Sequence, residues 1–160
     1  MKNICYLLIL ISFCLPCFAD KAEDSKKSHS LWLTDLDKGK EQAKKQNKLI
    51  LVDFTGSDWC HWCVRLDKEV FEHKEFKEYA KNNLVLVMLD FPAKKKLPAA
   101  VKEKNNKAKK KYAIRGYPTI LLLDHTGKEV ARTGYKKGGP KNYVKHLTSI
   151  LEEYKKSAKK

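Results

Sequence analysis

Two apolar runs, residues 49–54 and 84–89, limit what this chain can fold into more than any other feature. Each has the length of one strand and is apolar almost throughout, which is typical of strands buried on both faces. Helical patterns occupy residues 60–71 and 73–82 between them. Because both faces of such a sheet need cover, we expect an α/β protein, in which a central mixed sheet of four to five strands has helices on both faces.

A hairpin and a closing helix complete the predicted layout. Residues 119–123 form a third strand-like run, and turn residues connect it to a fourth strand over 128–133. A last helix follows, with its apolar residues in one stripe. Near the start of the domain, Thr34 with Asp37 three residues later resembles a capping box and predicts the first helix.

The first residues have the pattern of an export signal. Residues 1–19 combine a positive charge at Lys2, a short apolar stretch and Ala19 before a polar segment, which predicts a signal peptide cleaved after Ala19. A retained membrane anchor is the alternative, but a spanning helix needs about 20 apolar residues and this run is shorter. Residues 20–30 are polar and predict a flexible leader. The expected compartment is the periplasm.

Cleavage would leave two of the five cysteines. Cys5, Cys14 and Cys17 lie in the signal peptide, so the exported domain keeps Cys60 and Cys63. One close pair cannot connect distant parts of a fold. A disulfide scaffold of the kind found in small secreted proteins is therefore excluded.

The predicted domain spans residues 31–154, with a lysine-rich insertion at 92–111 and a basic tail at 155–160. Nine lysines and a single acid lie within 93–111. These lysines form either a solvated face that keeps the protein soluble or a surface that attracts an anionic partner, namely envelope lipid, envelope polymer or an acidic protein. Nucleic acid is excluded as a partner, because no aromatic residue is interleaved with the lysines and exported proteins rarely meet it.

The sequence Trp59-Cys60-His61-Trp62-Cys63 stands where the first buried strand turns into a helix. Two intervening residues put both sulfur atoms on one helical turn, with Cys60 at the helix N-terminus. Unpaired backbone N–H groups there stabilise a thiolate, and a protonated His61 would add to the effect, so Cys60 is expected to be the exposed, low-pKa nucleophile. Cys63, one turn further in, is expected to be the buried thiol that resolves a mixed disulfide.

Metal binding is the main alternative use of two cysteines. Structural zinc takes about four ligands, whereas the exported chain has no second cysteine pair and its remaining histidines show no ligand spacing. Neither a metal nor another cofactor is therefore expected. An inert structural disulfide and a metal-binding chaperone that uses Cys60, His61 and Cys63 are the rival interpretations.

Asp53 and two tryptophans suggest further roles in the same chemistry. Asp53 lies in the strand that leads to the motif, where burial would raise the pKa of its carboxyl and let it take the proton of Cys63. An inert acid at a strand end is the alternative. Trp59 and Trp62 flank the sulfur atoms and predict an apolar rim for exposed protein segments, to which His61 also belongs.

Tyr117-Pro118-Thr119 begins the third strand-like run. A proline at that point suggests a cis peptide bond in a tight approach. The segment would then present backbone groups to a substrate chain beside Cys60. An ordinary proline at the start of a strand is the alternative.

These features together resemble the thioredoxin superfamily. Residues 51–54 before the motif at 59–63 match the family's strand and active-site turn, and residues 111–119 match its approach to a cis-proline. The strands and the final helix follow in the family's order, so the resemblance covers roughly 31–154. Within the superfamily, the stretch 53–60 is similar to exported bacterial proteins of the Dsb type, especially the DsbH-like reductases.

The resemblance implies a thioredoxin fold and a role for each matching residue. Cys60 would be the attacking thiol, Cys63 the resolving thiol, Pro118 the cis-proline and Asp53 the buried acid. The chain would be an exported thiol–disulfide oxidoreductase, acting mainly as a reductase of exported proteins that contain disulfides. A membrane electron donor resembling DsbD would recharge it.

The chain also departs from the family's pattern. The turn before Trp59 is one residue longer than in ordinary thioredoxins, and Leu86 stands where they often have a lysine paired with the buried acid. His61-Trp62 replaces Gly-Pro between the cysteines, a dipeptide that helps to set the redox potential.

Functions other than a reductase and a metal-binding chaperone are also compatible with this chain. A disulfide-forming oxidase or an isomerase would use the same cysteines. Only 27 residues separate Asp90 from Pro118, which leaves no room for the large helical insertion of a DsbA-like oxidase, and an isomerase's dimerisation segment is absent. An envelope adaptor would instead use the lysine-rich face and not depend on Cys60.

Overall fold

In a computed structural model, the structure describes residues 31–157. The predicted signal peptide at 1–19, the predicted leader at 20–30 and the last residues of the predicted tail, 158–160, lie outside the described residues. None of the helices within the described part of the chain has an apolar stretch long enough to cross a bilayer.

Strands and helices alternate along the described chain. They are β1 (Trp32–Leu33), α1 (Leu36–Gln46), β2 (Leu49–Thr55), α2 (His61–Leu66), a π-helical segment (Asp67–Phe71), α3 (Lys74–Asn83), β3 (Leu84–Asp90), α4 (Ala99–Lys111), β4 (Thr119–Leu123), β5 (Glu129–Thr133) and α5 (Gly139–Ser157). The predicted basic tail therefore begins inside α5, whose last turn carries Lys155 and Lys156.

The strands form one five-stranded mixed sheet in the order β1-β3-β2-β4-β5. The strand β2 is parallel to β3 and antiparallel to β4, with Asp53 opposite Met88 on one side and Ile120 on the other. The predicted mixed α/β architecture is confirmed. The sequence did not reveal β1, because two residues are too few to show a period.

Two hydrophobic cores lie on opposite faces of the sheet. Alternate residues of β2 point to opposite sides, so Leu51 contributes to the first core and Val52 to the second. The first core is completed by α2, the π-helical segment, α3 and α5, and the second by α1 and α4. Helices therefore cover both faces, as the apolar runs predict.

The first helix begins one residue later than the capping-box pattern predicts. Asp35, and not Thr34, is the N-cap, because its carboxylate accepts hydrogen bonds from the N–H groups of Asp37 and Lys38 at 2.8 and 3.4 Å. The other carboxylate oxygen of Asp35 pairs with Lys104 of α4 at 2.6 Å. That long-range partner helps to select which of two neighbouring polar residues caps the helix.

Candidate functional site

The candidate site lies where three strand ends meet. Because β2 and β3 are parallel, their carboxyl ends lie side by side, with Thr55 opposite Asp90. The antiparallel β4 begins at the same edge, with Thr119 opposite Phe54. The loops that follow β2 and β3 and the loop that precedes β4 are therefore neighbours, although they are far apart in sequence.

Cys60 and Cys63 form a disulfide at this edge of the sheet, with their Cα atoms 5.2 Å apart. Cys60 is the N-cap of α2, and the N–H group of Cys63 lies 3.2 Å from its sulfur atom. The helix continues without a break into the π-helical segment. Its N-terminal N–H groups therefore face the sulfur that the sequence predicts to attack, in the arrangement that favours a thiolate.

The exposure of Cys60 differs from the prediction. The sequence predicts an exposed Cys60 beside a buried Cys63, but the two residues are 6% and 4% exposed, respectively. The disulfide and the contact with the Cys63 N–H group hold the Cys60 side chain against the helix. In the oxidised protein, the two cysteines are therefore almost equally covered.

Asp53 is buried on the face of the sheet that carries the first core. It is only 4% exposed, and its Oδ1 atom has no hydrogen-bond partner. Burial, followed by the negative charges of Asp67 and Asp90, raises the pKa of the Asp53 carboxyl well above its usual range. Leu86, which stands in place of a lysine, is itself a buried member of the first core. The site thus contains an uncompensated acid that favours its protonated form.

The Tyr117–Pro118 peptide bond is cis, as the sequence predicts. The hydroxyl of Thr119 donates a hydrogen bond to the carbonyl of Gly116 at 2.7 Å, which closes the turn around the proline. Tyr117, Pro118 and Thr119 are each partly exposed. This segment and the disulfide therefore belong to the same edge of the molecule.

The two predicted rim tryptophans are exposed, Trp59 by 52% and Trp62 by 46%. The ring of Trp59 makes an edge contact with Tyr117 at 5.6 Å, and its indole N–H donates to the carbonyl of Phe91 at 2.8 Å. Gly56 is required beneath it, since a Cβ at that position would lie 2.5 Å from the indole ring. Trp59 thus connects the motif to both neighbouring loops.

Trp62 belongs to a second group of side chains on the other flank of the disulfide. Its ring packs on Tyr135 at 5.1 Å, and the Arg65 guanidinium lies over both rings at 5.4 and 5.3 Å. Glu69 holds this group together by pairing with Arg65 at 2.6 Å and accepting a hydrogen bond from the Tyr135 hydroxyl. Both tryptophans of the exposed apolar rim, Trp59 and Trp62, are therefore held in place by contacts with neighbouring side chains.

His61 is exposed, and its ring makes an edge contact with Trp62 at 5.6 Å. Cys60 and Cys63 are bonded to each other, so in this oxidised form neither sulfur is a free thiolate that could bind a metal. Among residues 31–157, no three His, Cys, Asp or Glu side chains are grouped closely enough to hold a metal ion.

Several residues of the site were not identified from the sequence. They are Asp58, Arg65, Phe91, Lys109 and Tyr135. Asp58 stands next to Trp59 and could have been suspected as a turn residue. Arg65 lies on α2 itself, but its partners Glu69 and Tyr135 do not show in the local pattern. Phe91, Lys109 and Tyr135 come from distant elements, so no local pattern pointed to them.

Comparison with known proteins gives consistent results. Residues 36–149 match the family described as a thioredoxin-like domain. The disulfide bond reductase DsbH of Chlamydia pneumoniae is 38% identical over 112 residues, which cover 70% of this chain and 68% of that protein. The thioredoxin-related protein DsbJ of the same organism is 29% identical over 126 residues, which cover 79% of this chain but 36% of DsbJ. A solved structure of a DsbH oxidoreductase, 36% identical, matches with a TM-score of 0.72 and covers 76% of this chain and 83% of that chain.

Proposed function

This chain belongs to the thioredoxin superfamily as a DsbH-like, Dsb-type protein, and from this premise we propose that it is an exported thiol–disulfide oxidoreductase that works mainly as a reductase. The observation that carries the proposal is the disulfide itself. It lies at the N-terminus of a helix, at the carboxyl edge of the sheet, between two exposed tryptophans. Each of these features suits exchange with a disulfide on another protein.

The reaction begins from the reduced Cys60/Cys63 pair. The Cys60 thiolate attacks one sulfur of the substrate disulfide, so a Cys60–substrate bond forms while the substrate S–S bond breaks and releases a thiolate that takes up a proton. The Cys63 thiol then loses its proton and attacks the Cys60 sulfur. The substrate leaves as a dithiol, and the enzyme keeps the disulfide that the structure contains.

Asp53 is proposed as the acceptor of the Cys63 proton. Its Oδ1 atom has no hydrogen-bond partner, and its raised pKa makes the charged carboxylate a stronger proton acceptor than an ordinary aspartate. It lies on the face of β2 that packs against α2, the helix that carries Cys63. A water molecule would complete the path between the two groups.

The apolar rim formed by Trp59, His61 and Trp62 and the segment at 117–119 are proposed to hold the substrate chain. Tyr117, which contacts Trp59, and the backbone of Pro118 and Thr119 would align an extended substrate segment beside Cys60. Trp59, His61 and Trp62 would cover the apolar residues around the substrate cysteine.

The reducing direction is supported by the relative DsbH, which is named a disulfide bond reductase. Each turnover leaves the enzyme oxidised, so two electrons must return from outside the chain. We propose a membrane electron donor resembling DsbD as their source and disulfide-containing exported proteins as the substrates.

The signal-like residues 1–19 support a periplasmic location, which N-terminal sequencing of the protein recovered from that compartment would test.

The equilibrium redox potential of the Cys60/Cys63 pair, measured in glutathione or dithiothreitol buffers, is the decisive test. We expect a value near that of thioredoxin, about −270 mV, for a reductase. A value near that of DsbA, about −120 mV, would mean that the protein forms disulfides instead.

Two cysteine variants test the order of attack. Cys63→Ser is expected to trap the mixed disulfide with a substrate, because the resolving thiol is missing, whereas Cys60→Ser should form none. Loss of disulfide reduction in both variants, seen in an insulin assay, would support the mechanism. Stoichiometric binding of copper or zinc by the wild-type protein without any insulin reduction would favour the metal-binding chaperone, and full function of Cys60→Ser would favour the adaptor.

A further inference from the structure

The lysine-rich insertion is attached directly to the active-site turn. Both oxygens of the Asp58 carboxylate accept hydrogen bonds from backbone N–H groups of the insertion, those of Ala93 and Lys94 at 2.8 Å and that of Lys95 at 3.0 Å. Asp58 is two residues before Cys60 in the chain. The first lysines of the insertion are thereby attached to the turn that leads to Cys60.

Further hydrogen bonds make this attachment rigid. The backbone N–H and the hydroxyl of Ser57 both donate to the Asp90 carboxylate, at 2.9 and 2.6 Å. The N–H group of Phe91 donates to the carbonyl of Thr55 at 2.8 Å, and the indole of Trp59 donates back to the carbonyl of Phe91. The loops after β2 and β3 therefore form one unit with the active-site turn.

The side chains of Lys94, Lys95 and Lys96 are exposed on this unit, and we call them the basic rim. The Asp58 carboxylate offsets one of the three positive charges, but both of its oxygens are already occupied by backbone N–H groups. The ammonium group of Lys109 adds a further positive charge on the same flank, 5.3 Å from the centre of the Tyr117 ring.

Other lysines of the insertion are neutralised further along α4. Lys104 pairs with Asp35 at 2.6 Å, and Lys107 pairs with Glu103 at 2.7 Å. Lys102, Lys110 and Lys111 also carry positive charge on α4. The three lysines of the basic rim differ from them in position, because their backbone is attached to the turn that leads to Trp59 and Cys60. A purely solubilising function would not require that attachment.

We propose, on the basis of the reductase function above, that the basic rim is a docking surface for an acidic segment that flanks the disulfide of the substrate protein. Charges at the edge of an interface accelerate association and select partners more than they add affinity. The basic rim would attract a substrate that has Asp or Glu residues near its cystine, and the substrate disulfide would then reach Cys60. A lipid surface is the less suitable occupant, because a membrane on this flank would hinder access of proteins to Cys60.

The test compares two synthetic peptides that share one internal disulfide and differ in their flanking residues, Asp in one and Lys in the other. The second-order rate constant for reduction by the dithiol form of the protein is measured at low and at high ionic strength. We expect the acidic peptide to react about tenfold faster at low salt, with the difference disappearing at high salt because the charges are screened.

Three variants locate the effect. Lys94→Gln/Lys95→Gln/Lys96→Gln is expected to remove most of the preference for the acidic peptide, and Lys94→Glu/Lys95→Glu/Lys96→Glu to reverse it. The control, Lys44→Gln/Lys45→Gln/Lys81→Gln, removes the same charge from exposed lysines in the last turns of α1 and α3, at the opposite end of β2 and β3. It should keep the preference.

The possible outcomes separate this inference from the proposed function. If the wild-type protein reduces neither peptide, the reductase function and the docking surface both fail. Equal rates for the two peptides, or loss of the preference in the control variant, would overturn the docking surface alone.

Two further outcomes would assign the lysines another role. An altered rate of Cys60 alkylation by iodoacetamide in the variants of the basic rim would show that the lysines act on the thiol and not on the substrate. Rim-dependent binding to anionic vesicles without any peptide preference would identify lipid as the occupant and overturn the inference.

Discussion

At the scale of single residues, Asp53 is the clearest departure from what a stable interior requires. Buried acids are usually paired, yet Asp53 has an unpartnered oxygen, and the nearby charges that act on it, those of Asp67 and Asp90, are also negative. The sequence placed Asp53 in the strand and predicted its raised pKa. Both rest on local information, namely the apolar neighbours Val52 and Phe54 in the same strand.

Asp53 should lower the stability of the folded protein at neutral pH. The native carboxyl has a raised pKa, so stability is greatest below the unfolded-state pKa of about 3.9 and is lost as the pH rises through the native pKa. We therefore expect Asp53→Asn to be more stable than the wild type at pH 8, by on the order of 1 kcal/mol, and nearly equal to it at pH 4. Urea unfolding at the two pH values measures the difference.

An exposed acid provides the control for this prediction. Glu41→Gln, on the solvent side of α1, should change stability by less than about 0.5 kcal/mol at either pH. The Asp53→Asn variant, with Cys63 present, should also resolve the mixed disulfide between Cys60 and the substrate more slowly than the wild type, because the Cys63 proton has lost its acceptor. A gain in stability that is the same at pH 4 and pH 8 would contradict a titrating carboxyl.

At the scale of secondary-structure elements, α1 contains a glycine that helix propensity disfavours but that packing against the sheet requires. Gly39 lies in the middle of this helix, where glycine costs about 1 kcal/mol relative to alanine. The sequence therefore suggests a weak helix. In the structure, Gly39 is buried against β3, and a Cβ at that position would lie 2.5 Å from a methyl group of Val87. The glycine lets the helix approach the sheet closely.

Gly39→Ala should destabilise the protein despite the higher helix propensity of alanine. Val87 is fully buried, and its branched side chain has little freedom to move away, so the helix must shift at a cost of about 1–3 kcal/mol. The midpoint of urea unfolding should fall accordingly. Gln42→Ala, on the exposed face of the same helix, is the control and should leave the midpoint almost unchanged. An increase in the midpoint for Gly39→Ala would mean that propensity outweighs packing.

At the scale of the whole molecule, the excess of positive charge is the dominant electrostatic property. The chain carries 34 Lys and Arg residues against 19 Asp and Glu. Many of its ion pairs join residues three or four positions apart on one element, such as Lys40 with Asp37, and contribute little to stability. Repulsion between the remaining lysines therefore opposes the compact state.

Added salt should consequently stabilise the folded protein. We expect the thermal midpoint to rise by about 2–4 °C when NaCl is raised from 0.05 to 0.5 M, since the screening length falls below the usual spacing of surface charges. The Lys44→Gln/Lys45→Gln/Lys81→Gln control should respond less, because it has fewer charges to screen. A midpoint that falls with salt would indicate that the ion pairs outweigh the repulsion.

The sequence by itself determined the strands β2 to β5, the helix that begins at the cysteines, the closing helix, the closeness of the two cysteines and the family to which the chain belongs. Each depends on a local pattern, either an apolar run, the spacing of two cysteines or a proline before a strand. The tertiary structure decided which of these segments come into contact. Asp58 meets the insertion and Trp62 meets Tyr135 because parallel and antiparallel pairing brings their loops to one edge. Such contacts depend on strand order and register, which no single segment encodes, because they arise only when distant segments pack together.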